Sequence, residues 1–328
     1  MENIKVSIIC ITYNQEKYIE KALNSFINQK TNFEYEIIVH DDASTDSTPL
    51  IIKEYEKEYP DIIRGIYQKE NQYSKGVKKI SFSLFPNAKG EFIALCEGDD
   101  YWTDMEKLQK QYDVMTKNLN ISLCTHKTQC INENETVTER IFPPIEFDEN
   151  IIRGERFVYF QMMKQYWMFH TSSYFFRKSD VIELSNNRPN FVDKFAVGDL
   201  CLQLFLIAKG NIYYIPEIMS KYRLNSKGSW SEKKQYKNYF EKNHLEALNE
   251  YDAYTQGKYH EYILNQINYY KFLKFLEDKN FEEIFNSEYR RFYQELPLKS
   301  KFFYFSIRIF PQIEKIINLI RSIKKRGK

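Results

Sequence analysis

The chain has 328 residues, of which 43% are hydrophobic and 28% are charged, and this balance favours a soluble globular protein over a disordered one. Its length is too great for one small domain. A net charge of +2 gives no reason to expect a nucleic-acid partner. With only 10 glycines, the chain is also a poor candidate for glycine-rich ligand loops.

The five cysteines predict neither a disulfide framework nor a zinc site, because their number is odd and none are spaced C-x-x-C. They are Cys10, Cys96, Cys124, Cys130 and Cys201. We therefore expect a reducing compartment. The first residues enter a strand without a signal peptide, and no apolar run approaches the roughly 18 to 20 residues of a membrane span. A cytoplasmic protein is expected.

Strands and helices alternate over the first hundred residues. Apolar and helical patterns predict strands at 5–14, 35–44, 62–68 and 91–97 and helices at 16–29 and from Thr48 onward. Thr103 and Glu106 have the spacing of a capping box, which predicts that a helix begins there. The βαβα order predicts an α/β fold with a mostly parallel sheet and helices on both faces.

Beyond residue 120 the predicted elements are more mixed. The pattern favours a helix over 156–169, a strand over 172–178, and a helix that ends at Gly210 and is followed by another strand. From about residue 232 onward the sequence is helical in pattern and rich in Lys, Glu and Tyr. No internal repeat or low-complexity linker interrupts the chain.

Polar clusters follow three of the first four predicted strands. They comprise Thr12, Tyr13 and Asn14, then Asp41 and Asp42, then Glu97, Gly98, Asp99 and Asp100. Ligands of open parallel sheets bind beyond the carboxyl ends of the strands, so parallel strands would bring the three clusters to one edge. The alternative is that these acids lie in turns and helix caps, but a cap needs only one carboxylate.

The acidic cluster in "CEGDDYW" would repel itself without a cation. Carboxylate oxygens suit Mg²⁺ or Mn²⁺, and such ions usually bind one or two protein carboxylates together with substrate phosphates. The sequence has neither a G-x-x-x-x-G-K-[ST] nor a G-x-G-x-x-G motif, which disfavours a P-loop enzyme and a dinucleotide oxidoreductase. A nucleotide diphosphate held through a metal is the remaining hypothesis.

Four segments together resemble a bacterial family 2 glycosyltransferase of the GT-A fold. They are "VSIICITYNQEKYIEKALNSFINQ", "IIVHDDASTDST", "AKGEFIALCEGDDYW" and "MSKYRLNSKGSWS", in the family's order over about residues 4–230. The resemblance implies a GT-A domain over 1–230, with a donor half at about 1–118 and an acceptor half at about 119–230. A helical C-terminal region would follow over 231–328.

The resemblance also implies roles for the polar clusters. Thr12, Tyr13 and Asn14 would line the nucleotide pocket, Asp41 would meet the base, and Asp42 would lie beside it. Glu97, Gly98 and Asp99 match the D-x-D motif, so Asp99 would bind Mn²⁺ or Mg²⁺, with Asp100 beside the sugar or diphosphate. His40 and Ala43 depart from the family pattern, as does Asn225, where the family often has His.

A separate carboxylate is needed as catalytic base, because an attacking hydroxyl must lose its proton on the side away from the diphosphate. Asp199 opens the helix after Gly198 and could simply be its N-cap. The resemblance favours Asp199 as the base, since the family commonly has an acid there. Asp193 and Asp180 are the competing candidates.

Further residues could line the acceptor pocket or clamp the leaving diphosphate. His170 precedes a strand, and Arg223, Lys227 and Trp230 belong to a basic, aromatic segment that we interpret as a flexible loop. The alternative for His170 is a polar residue in a turn at the sheet edge, and the alternative for the other three is a solvated surface loop. Trp102 and Trp167 are interpreted as packing residues.

The C-terminal residues 291–328 hold ten Lys or Arg but only Glu295 and Glu314 as acids, with apolar runs between them. A basic helix with an apolar face suits an anionic membrane surface, and the alternative is a helix packed on its own domain. We therefore expect a peripheral protein on the cytoplasmic face of the inner membrane.

The sequence thus predicts an inverting glycosyltransferase that uses a nucleotide-sugar donor, with a UDP-sugar preferred. Its acceptor would be a glycan or polyprenyl-linked glycan of surface polysaccharide synthesis, and no nucleic acid would bind. A nucleotidyltransferase is the enzyme alternative, although the usual glycine-rich phosphate loop is missing. The second alternative is a non-catalytic protein that binds membrane surfaces. Such a protein would bind no nucleotide-sugar donor.

Overall fold

A computed structural model describes residues 4–77, 79–224 and 241–310. The chain divides into two compact units, the first reaching Tyr259 and the second beginning at His260. The first unit therefore includes a helix, Glu241–Tyr254, that the sequence assigned to the C-terminal region. The predicted domains, divided at residue 230, and the donor and acceptor halves stay predictions.

The first unit is built on one mixed sheet. Its described strands are β1 (Ile4–Thr12), β2 (Glu34–Asp41), β3 (Ile63–Tyr67), β4 (Phe92–Leu95), β5 (Tyr101–Trp102), β6 (Ile121–Ile131), β7 (Val137–Phe142), β8 (Ile151–Ile152), β9 (Phe175–Arg177) and β10 (Asn211–Arg223). The order across the sheet is β3-β2-β1-β4-β9-β6-β10-β5, while β7 pairs with β6 and β8 with β10.

The first four strands are parallel, as the sequence predicted. β1 pairs in parallel with both β2 and β4, and β2 pairs in parallel with β3. Side chains such as Val6, Ile8 and Val39 are fully buried in the core beneath these strands. Because the strands run the same way, the residues that follow β1, β2 and β4 lie at one edge of the sheet.

The other half of the sheet contains the antiparallel strands. β9 runs antiparallel to β4 and β6, whereas β6 and β10 form a long parallel ladder with register shifts. β7 runs antiparallel along β6, with Val137 opposite Ile131 and Phe142 opposite Thr128. The α/β prediction is therefore confirmed, with a more mixed sheet than the sequence alone indicated.

Helices cover the sheet and form the second unit. In chain order they are α1 (Ile19–Ile27), α2 (Thr48–Glu58), α3 (Ile80–Leu84), α4 (Lys107–Lys117), α5 (Gly154–Val158), α6 (Lys178–Val181), α7 (Glu183–Asn186), α8 (Asn190–Lys194), α9 (Gly198–Lys209), α10 (Glu241–Tyr254), α11 (His260–Asp278), α12 (Phe281–Ile284), α13 (Arg290–Glu295) and α14 (Leu298–Ile309). Short 3₁₀ turns lie at Phe85–Asn87, Thr171–Ser173 and Ser287–Tyr289.

Two local predictions differ from the structure. The capping box is wrong, because α4 begins at Lys107 and the Thr103 hydroxyl bonds the Ile218 carbonyl instead of capping the helix. The helix predicted over 156–169 is formed only in part, by α5 and a short π-helical turn, Tyr159–Met163. Tertiary contacts override the local pattern in both places.

The second unit has its own small aromatic core. Phe272, Tyr289 and Phe292 pack together, with Phe272 and Phe292 ring centroids 5.8 Å apart. No helix among the described residues is long and apolar enough to cross a bilayer. The last part of the predicted basic tail, residues 311–328, lies outside the described residues.

Candidate active site

A cleft of about 960 Å³ opens at the edge where the polar clusters meet. Its walls include predicted site residues from both halves of the first unit, namely Thr12, Tyr13, Asp42, Glu97, Asp99, His170 and Asp199. A concave site with several convergent ionisable groups is the default location for binding and chemistry. The fold thus brings together residues that are nearly 190 positions apart in sequence.

The acids after β4 form the floor of this site. One carboxylate oxygen each from Glu97, Asp99 and Asp100 lies within 4.8 Å of the others. Asp99 and Asp100 are buried. The Glu97 side chain is accessible from the cleft, but the walls of the cleft enclose it and reduce its contact with bulk water. Burial, and then the charges of Asp99 and Glu97, raise the pKa of Asp100 well above its usual range. The pKa of Glu97 is raised by burial, by Asp99 and by Asp199.

These acids fit a divalent cation. Asp100 Oδ2 is buried and has no hydrogen-bond partner among the described residues, so one acceptor faces the cluster with its bonding capacity unused. Carboxylate oxygens are the donors that Mg²⁺ and Mn²⁺ prefer. A cation would offset the mutual repulsion that, after burial, raises the pKa values of Asp100 and Glu97.

Gly98 allows the cluster to pack directly against the end of β1. A Cβ atom at this position would lie 2.6 Å from Gln15 Oε1 and 2.8 Å from Thr12 Oγ1. The Gly98 N–H donates to the Ile11 carbonyl at 3.0 Å. A side chain here would have to displace those of Gln15 and Thr12, and glycine leaves both in place.

Arg223 lies behind the acids at the end of β10. Its backbone N–H donates to Asp100 Oδ1 at 2.9 Å, and its Nε donates to the Asp99 carbonyl at 3.2 Å. The guanidinium also pairs with Glu135 at 3.1 Å and is only 1% exposed. This corrects the prediction of a flexible loop at Arg223, since the residue holds the acidic cluster in place. Lys227 and Trp230 lie outside the described residues.

The residues after β1 form a tight turn. Asn14 adopts a left-handed backbone conformation with φ of 53°, which Asn tolerates well. Its Oδ1 accepts the Thr45 N–H at 2.8 Å, so Asn14 joins the ends of β1 and β2. Thr12 and Tyr13 line the cleft, and the Thr12 hydroxyl donates to Gln15 Oε1 at 2.7 Å. Tyr13 is the most exposed of the three, at 39%.

Asp41 and Asp42 end β2 in different environments. Asp41 is buried, with Oδ2 accepting the Ser44 N–H and Oδ1 without a partner among the described residues. Asp42 lines the cleft, but its two oxygens accept the backbone N–H groups of Gln72 and Tyr73 at 2.7 and 3.0 Å. Asp42 therefore fixes the loop that forms one wall of the cleft.

Asp199 faces the cleft from the first turn of α9. It is not the N-cap, which is Val197, and its Oδ1 accepts the Leu200 N–H at 3.1 Å. Burial raises the pKa of Asp199 to about 6, although hydrogen bonds from the backbone and the Thr171 side chain oppose the rise. A carboxylate with a pKa near the operating pH suits general-base work. The competitors lie elsewhere, since neither Asp193 nor Asp180 lines the cleft.

A rigid support holds the 3₁₀ turn that presents Thr171 and His170. The Trp102 indole N–H donates to the Ser172 carbonyl at 2.9 Å, and Gln111 donates to the Ser173 carbonyl at 2.9 Å. Trp102 is 4% exposed and packs against Phe26, as the sequence predicted for a packing residue. Trp167 differs from that prediction, because it lines the cleft.

His170 connects the turn to the acids. Its Nδ1 lies 2.9 Å from Ser172 Oγ and 3.6 Å from Asp100 Oδ2, and its ring stacks on Tyr222 with centroids 3.9 Å apart. Burial, and then the positive charge of Arg140, lower the pKa of His170 to about 3. The imidazole is therefore neutral at physiological pH.

Sequence inspection missed several residues of the cleft. Lys79, Arg140 and Phe142 line it without belonging to a segment that the motifs marked. Arg140 lies on β7, an edge strand with no motif of its own. Only the pairing of β7 with β6 reveals its position.

A sequence model of the family described as "Glycosyl transferase family 2" matches residues 7–199, more than half of the chain. The chain belongs to this family. The matched segment contains the acidic cluster and ends at Asp199, so it spans both carboxylate groups of the cleft.

Relatives of the chain include an uncharacterised protein of Mycobacterium tuberculosis, 34% identical over 69% of this chain and 60% of the relative. The chain thus spans 60% of the length of this relative. Another is the Escherichia coli protein WfgD, a UDP-Glc:α-D-GlcNAc-diphosphoundecaprenol β-1,3-glucosyltransferase. It is 32% identical over 44% of this chain and 53% of its own length.

Solved structures of similar fold include TarS of S. aureus in complex with UDP-GlcNAc. The TM-score is 0.60 at 18% identity, with 90% of this chain and 83% of that chain covered. The complex of TarS with UDP matches with a TM-score of 0.55 at 19% identity, covering 91% of this chain and 77% of that chain. The likeness shows the fold, and the prediction of a GT-A fold with a helical C-terminal region is confirmed.

Proposed function

We propose that this protein is an inverting, metal-dependent glycosyltransferase. It would move a sugar from a nucleotide diphosphate sugar to a hydroxyl group of a glycan or lipid-linked glycan. The observation that carries the proposal is the cleft itself, which is lined both by Glu97 and Asp99 of the acidic cluster and by the separate carboxylate Asp199. Binding a metal–diphosphate and removing a proton are different tasks, and the two acidic groups suit one task each.

The donor side is supported by residues at the ends of β1, β2 and β4. Asp99 would bind Mn²⁺ or Mg²⁺, with Glu97 and Asp100 beside it, and this ion would neutralise charge that develops on the leaving diphosphate. Thr12, Tyr13, Asn14 and Asp41 lie at the strand ends where a nucleoside would bind. A UDP-sugar is favoured because WfgD is named for UDP-Glc and TarS was solved with UDP and UDP-GlcNAc.

Asp199 would act as the catalytic base. As the acceptor oxygen attacks the anomeric carbon, its proton passes to the Asp199 carboxylate, and the bond from that carbon to the diphosphate oxygen breaks. One displacement from the opposite face inverts the configuration of the sugar. The hydrogen bond from Thr171 and the helical turn at Leu200 hold the carboxylate in one orientation.

Surface polysaccharide synthesis is the proposed context, and two relatives support it. WfgD is named for a lipid-linked acceptor. A relative from Bacillus subtilis, 34% identical over 34% of this chain and 41% of its own length, is named a putative teichuronic acid biosynthesis glycosyltransferase. A lipid-linked acceptor would require the enzyme to work at the cytoplasmic face of a membrane.

Helix α14 supports a membrane location. Four large apolar side chains, spaced by four, three and four residues, lie on one exposed face of this helix. They are Leu298, Phe302, Phe305 and Ile309, at 81%, 74%, 50% and 49% exposure. Helical spacing puts Lys301 and Arg308 on one side of this stripe and Lys299 on the other, while Ile307 is buried on the opposite face. An anionic bilayer matches both the apolar stripe and its basic borders.

A panel of nucleotide sugars tests the proposal. Thermal shift with and without Mn²⁺ should select a donor class, and slow donor hydrolysis should follow for that donor. A nucleotidyltransferase would instead release diphosphate from a nucleoside triphosphate. If the full-length protein binds no nucleotide in the presence of Mn²⁺ but still binds vesicles, it is a membrane-surface protein and the enzyme assignment is wrong.

A further inference from the structure

One guanidinium in the cleft has no carboxylate partner. Arg140 on β7 is exposed and lines the cleft, and it forms no ion pair with any residue that the structure describes. By contrast, Arg156, Arg188 and Arg223 each pair with an acid. An arginine in a cleft rich in carboxylates, yet bonded to none of them, is available to an anionic ligand.

Aromatic rings surround this guanidinium. Its central carbon lies 4.9 Å from the ring centroid of Phe142, a distance at which the cation is attracted to the ring face. The Phe142 ring lies 6.2 Å from Tyr222 and 6.0 Å from His170, measured between centroids. The three rings make a wall of the cleft beneath Arg140. Such a wall can bind the apolar face of a sugar while the guanidinium binds an oxyanion in bidentate geometry.

The topology places Arg140 away from the nucleotide side of the cleft. β7 pairs with β6, and β6 is separated from β1 and β2 by β9 and β4. The acidic cluster follows β4 and therefore lies between the two regions. Under the proposed function, the nucleotide lies toward β1 and β2, so the ligand beneath Arg140 is the acceptor.

We propose that Arg140, on the wall of Phe142, Tyr222 and His170, is a specificity-determining subsite for an oxyanion carried by the acceptor. A phosphate ester is the ligand to test. The phosphate could come from the diphosphate of a lipid-linked sugar or from a polyol phosphate chain, and both present the same oxygens to a guanidinium. The inference rests on the proposed function because it assumes that an acceptor binds on this side.

The experiment measures acceptor binding by titration calorimetry on the full chain saturated with UDP and Mn²⁺. UDP occupies the donor site, so an acceptor phosphate cannot bind there instead. The probes are GlcNAc diphosphate with a short lipid chain and an oligomer of ribitol phosphate. Each is compared with its neutral counterpart, an alkyl GlcNAc or ribitol. The phosphate probe that binds more tightly than its neutral counterpart identifies the source of the phosphate.

Wild type should bind at least one phosphate probe more tightly than its neutral counterpart. Arg140→Gln should weaken that binding by about 10- to 100-fold, the loss expected when one charge-assisted hydrogen-bonded contact is removed. Arg140→Lys should give an intermediate loss, because it keeps the charge but not the planar fork. UDP affinity and binding of the neutral probe should change by less than about twofold. Arg156→Gln, which removes a partly exposed arginine outside the cleft, is the control.

Two outcomes overturn the subsite. In the first, wild type binds phosphate and neutral probes equally, or binds neither. In the second, Arg140→Gln weakens UDP itself, which would assign Arg140 to the leaving diphosphate. Failure of the proposed function looks different, because wild type would then bind no UDP in the presence of Mn²⁺. UDP binding therefore separates an error about the acceptor from an error about the enzyme.

Discussion

The two compact units differ in which side chains lie outside their usual environment. The first unit buries carboxyl groups, and the second exposes large apolar side chains. In the first unit the carboxyl groups of Asp99 and Asp100 are buried, at 5% and 1% exposure. In the second unit Phe302 and Leu298 are exposed, at 74% and 81%. Buried charge and exposed apolar area both cost free energy unless a ligand covers them. The proposals of a cation for the first unit and of a bilayer for the second depend on these two features.

The two regions also differ in how firmly they are held. The acids are fixed by long-range bonds, such as those from Arg223 to Asp100 and Asp99, so the site is ordered before any ligand arrives. The apolar stripe of α14 needs only its helix, because a bilayer adapts to the surface that it meets. Substitutions in the cleft should therefore affect chemistry, and substitutions in the stripe should affect location.

The largest expected effect is on transfer in the cleft. Asp199→Asn keeps the size of the side chain but cannot take a proton, so transfer should fall by about 10²- to 10⁴-fold. UDP affinity should stay the same. The melting temperature should stay equal or rise, because the variant removes a partly buried carboxylate whose pKa folding raises. Transfer assays and UDP titration measure the two properties. Transfer within about threefold of wild type would place the base elsewhere.

Asp99→Ala should next separate metal binding from folding. We expect UDP affinity in the presence of Mn²⁺ to fall by about 10- to 100-fold, while UDP affinity without the metal changes little. Asp61→Ala, which removes an exposed acid outside the cleft, is the matched control. Equal UDP affinities for wild type and Asp99→Ala, with and without Mn²⁺, would remove the metal from the proposed mechanism.

The second unit is tested by substituting Phe302 and Phe305 with Ser together. Each phenylalanine that enters a bilayer contributes about 1.5–3 kcal/mol, so binding to anionic vesicles should weaken by about tenfold or more. Vesicle sedimentation measures it, and salt should weaken wild-type binding without abolishing it. Leu119→Ser, at an 85% exposed leucine of the first unit, is the control. The membrane proposal fails if the double variant sediments like wild type.

The smallest effect is the pH dependence of transfer. Asp199 must be ionised to act as a base, and its pKa is raised to about 6, so activity should be lost as pH falls through 6. At pH 5 about one tenth of the groups are ionised, which predicts a roughly tenfold loss. UDP binding over the same range shows whether the acidic cluster has titrated instead. A transfer rate independent of pH between 5 and 7 would contradict this assignment.

Much of the half of the cleft formed by β1, β2 and β4 was predictable, because the sequence patterns that mark it are local. Buried β-branched runs marked the first strands, and each polar cluster followed a strand directly. Since parallel strands end at the same edge, the meeting of Thr12, Asp42 and Glu97 in one cleft follows from the strand order alone. Asp199 was singled out by the family resemblance, and the alternative of an N-cap is wrong because the residue lies in the first turn of α9. Its role as the base stays a prediction.

The remainder depended on partners that are distant in sequence. Whether a carboxylate is free or already bonded is decided by long-range contacts, as in Asp42, which binds the Gln72 and Tyr73 amides. Arg223 was predicted in a flexible loop but is buried, because the ladder of β10 with β6 extends to its position. No local pattern carries that information.

The sequence by itself determined the first four strands, the polar residues that follow three of them and the chemistry that these acids suit. Only the tertiary structure decided which groups remain available to a ligand. Arg140 enters the cleft because β7 pairs with β6, and the stripe of α14 is exposed because the opposite face, with Ile307, is the one that packs. The physical reason is the same in both cases. Periodicity predicts the faces of a strand or helix, but the surface that each face meets depends on the rest of the chain.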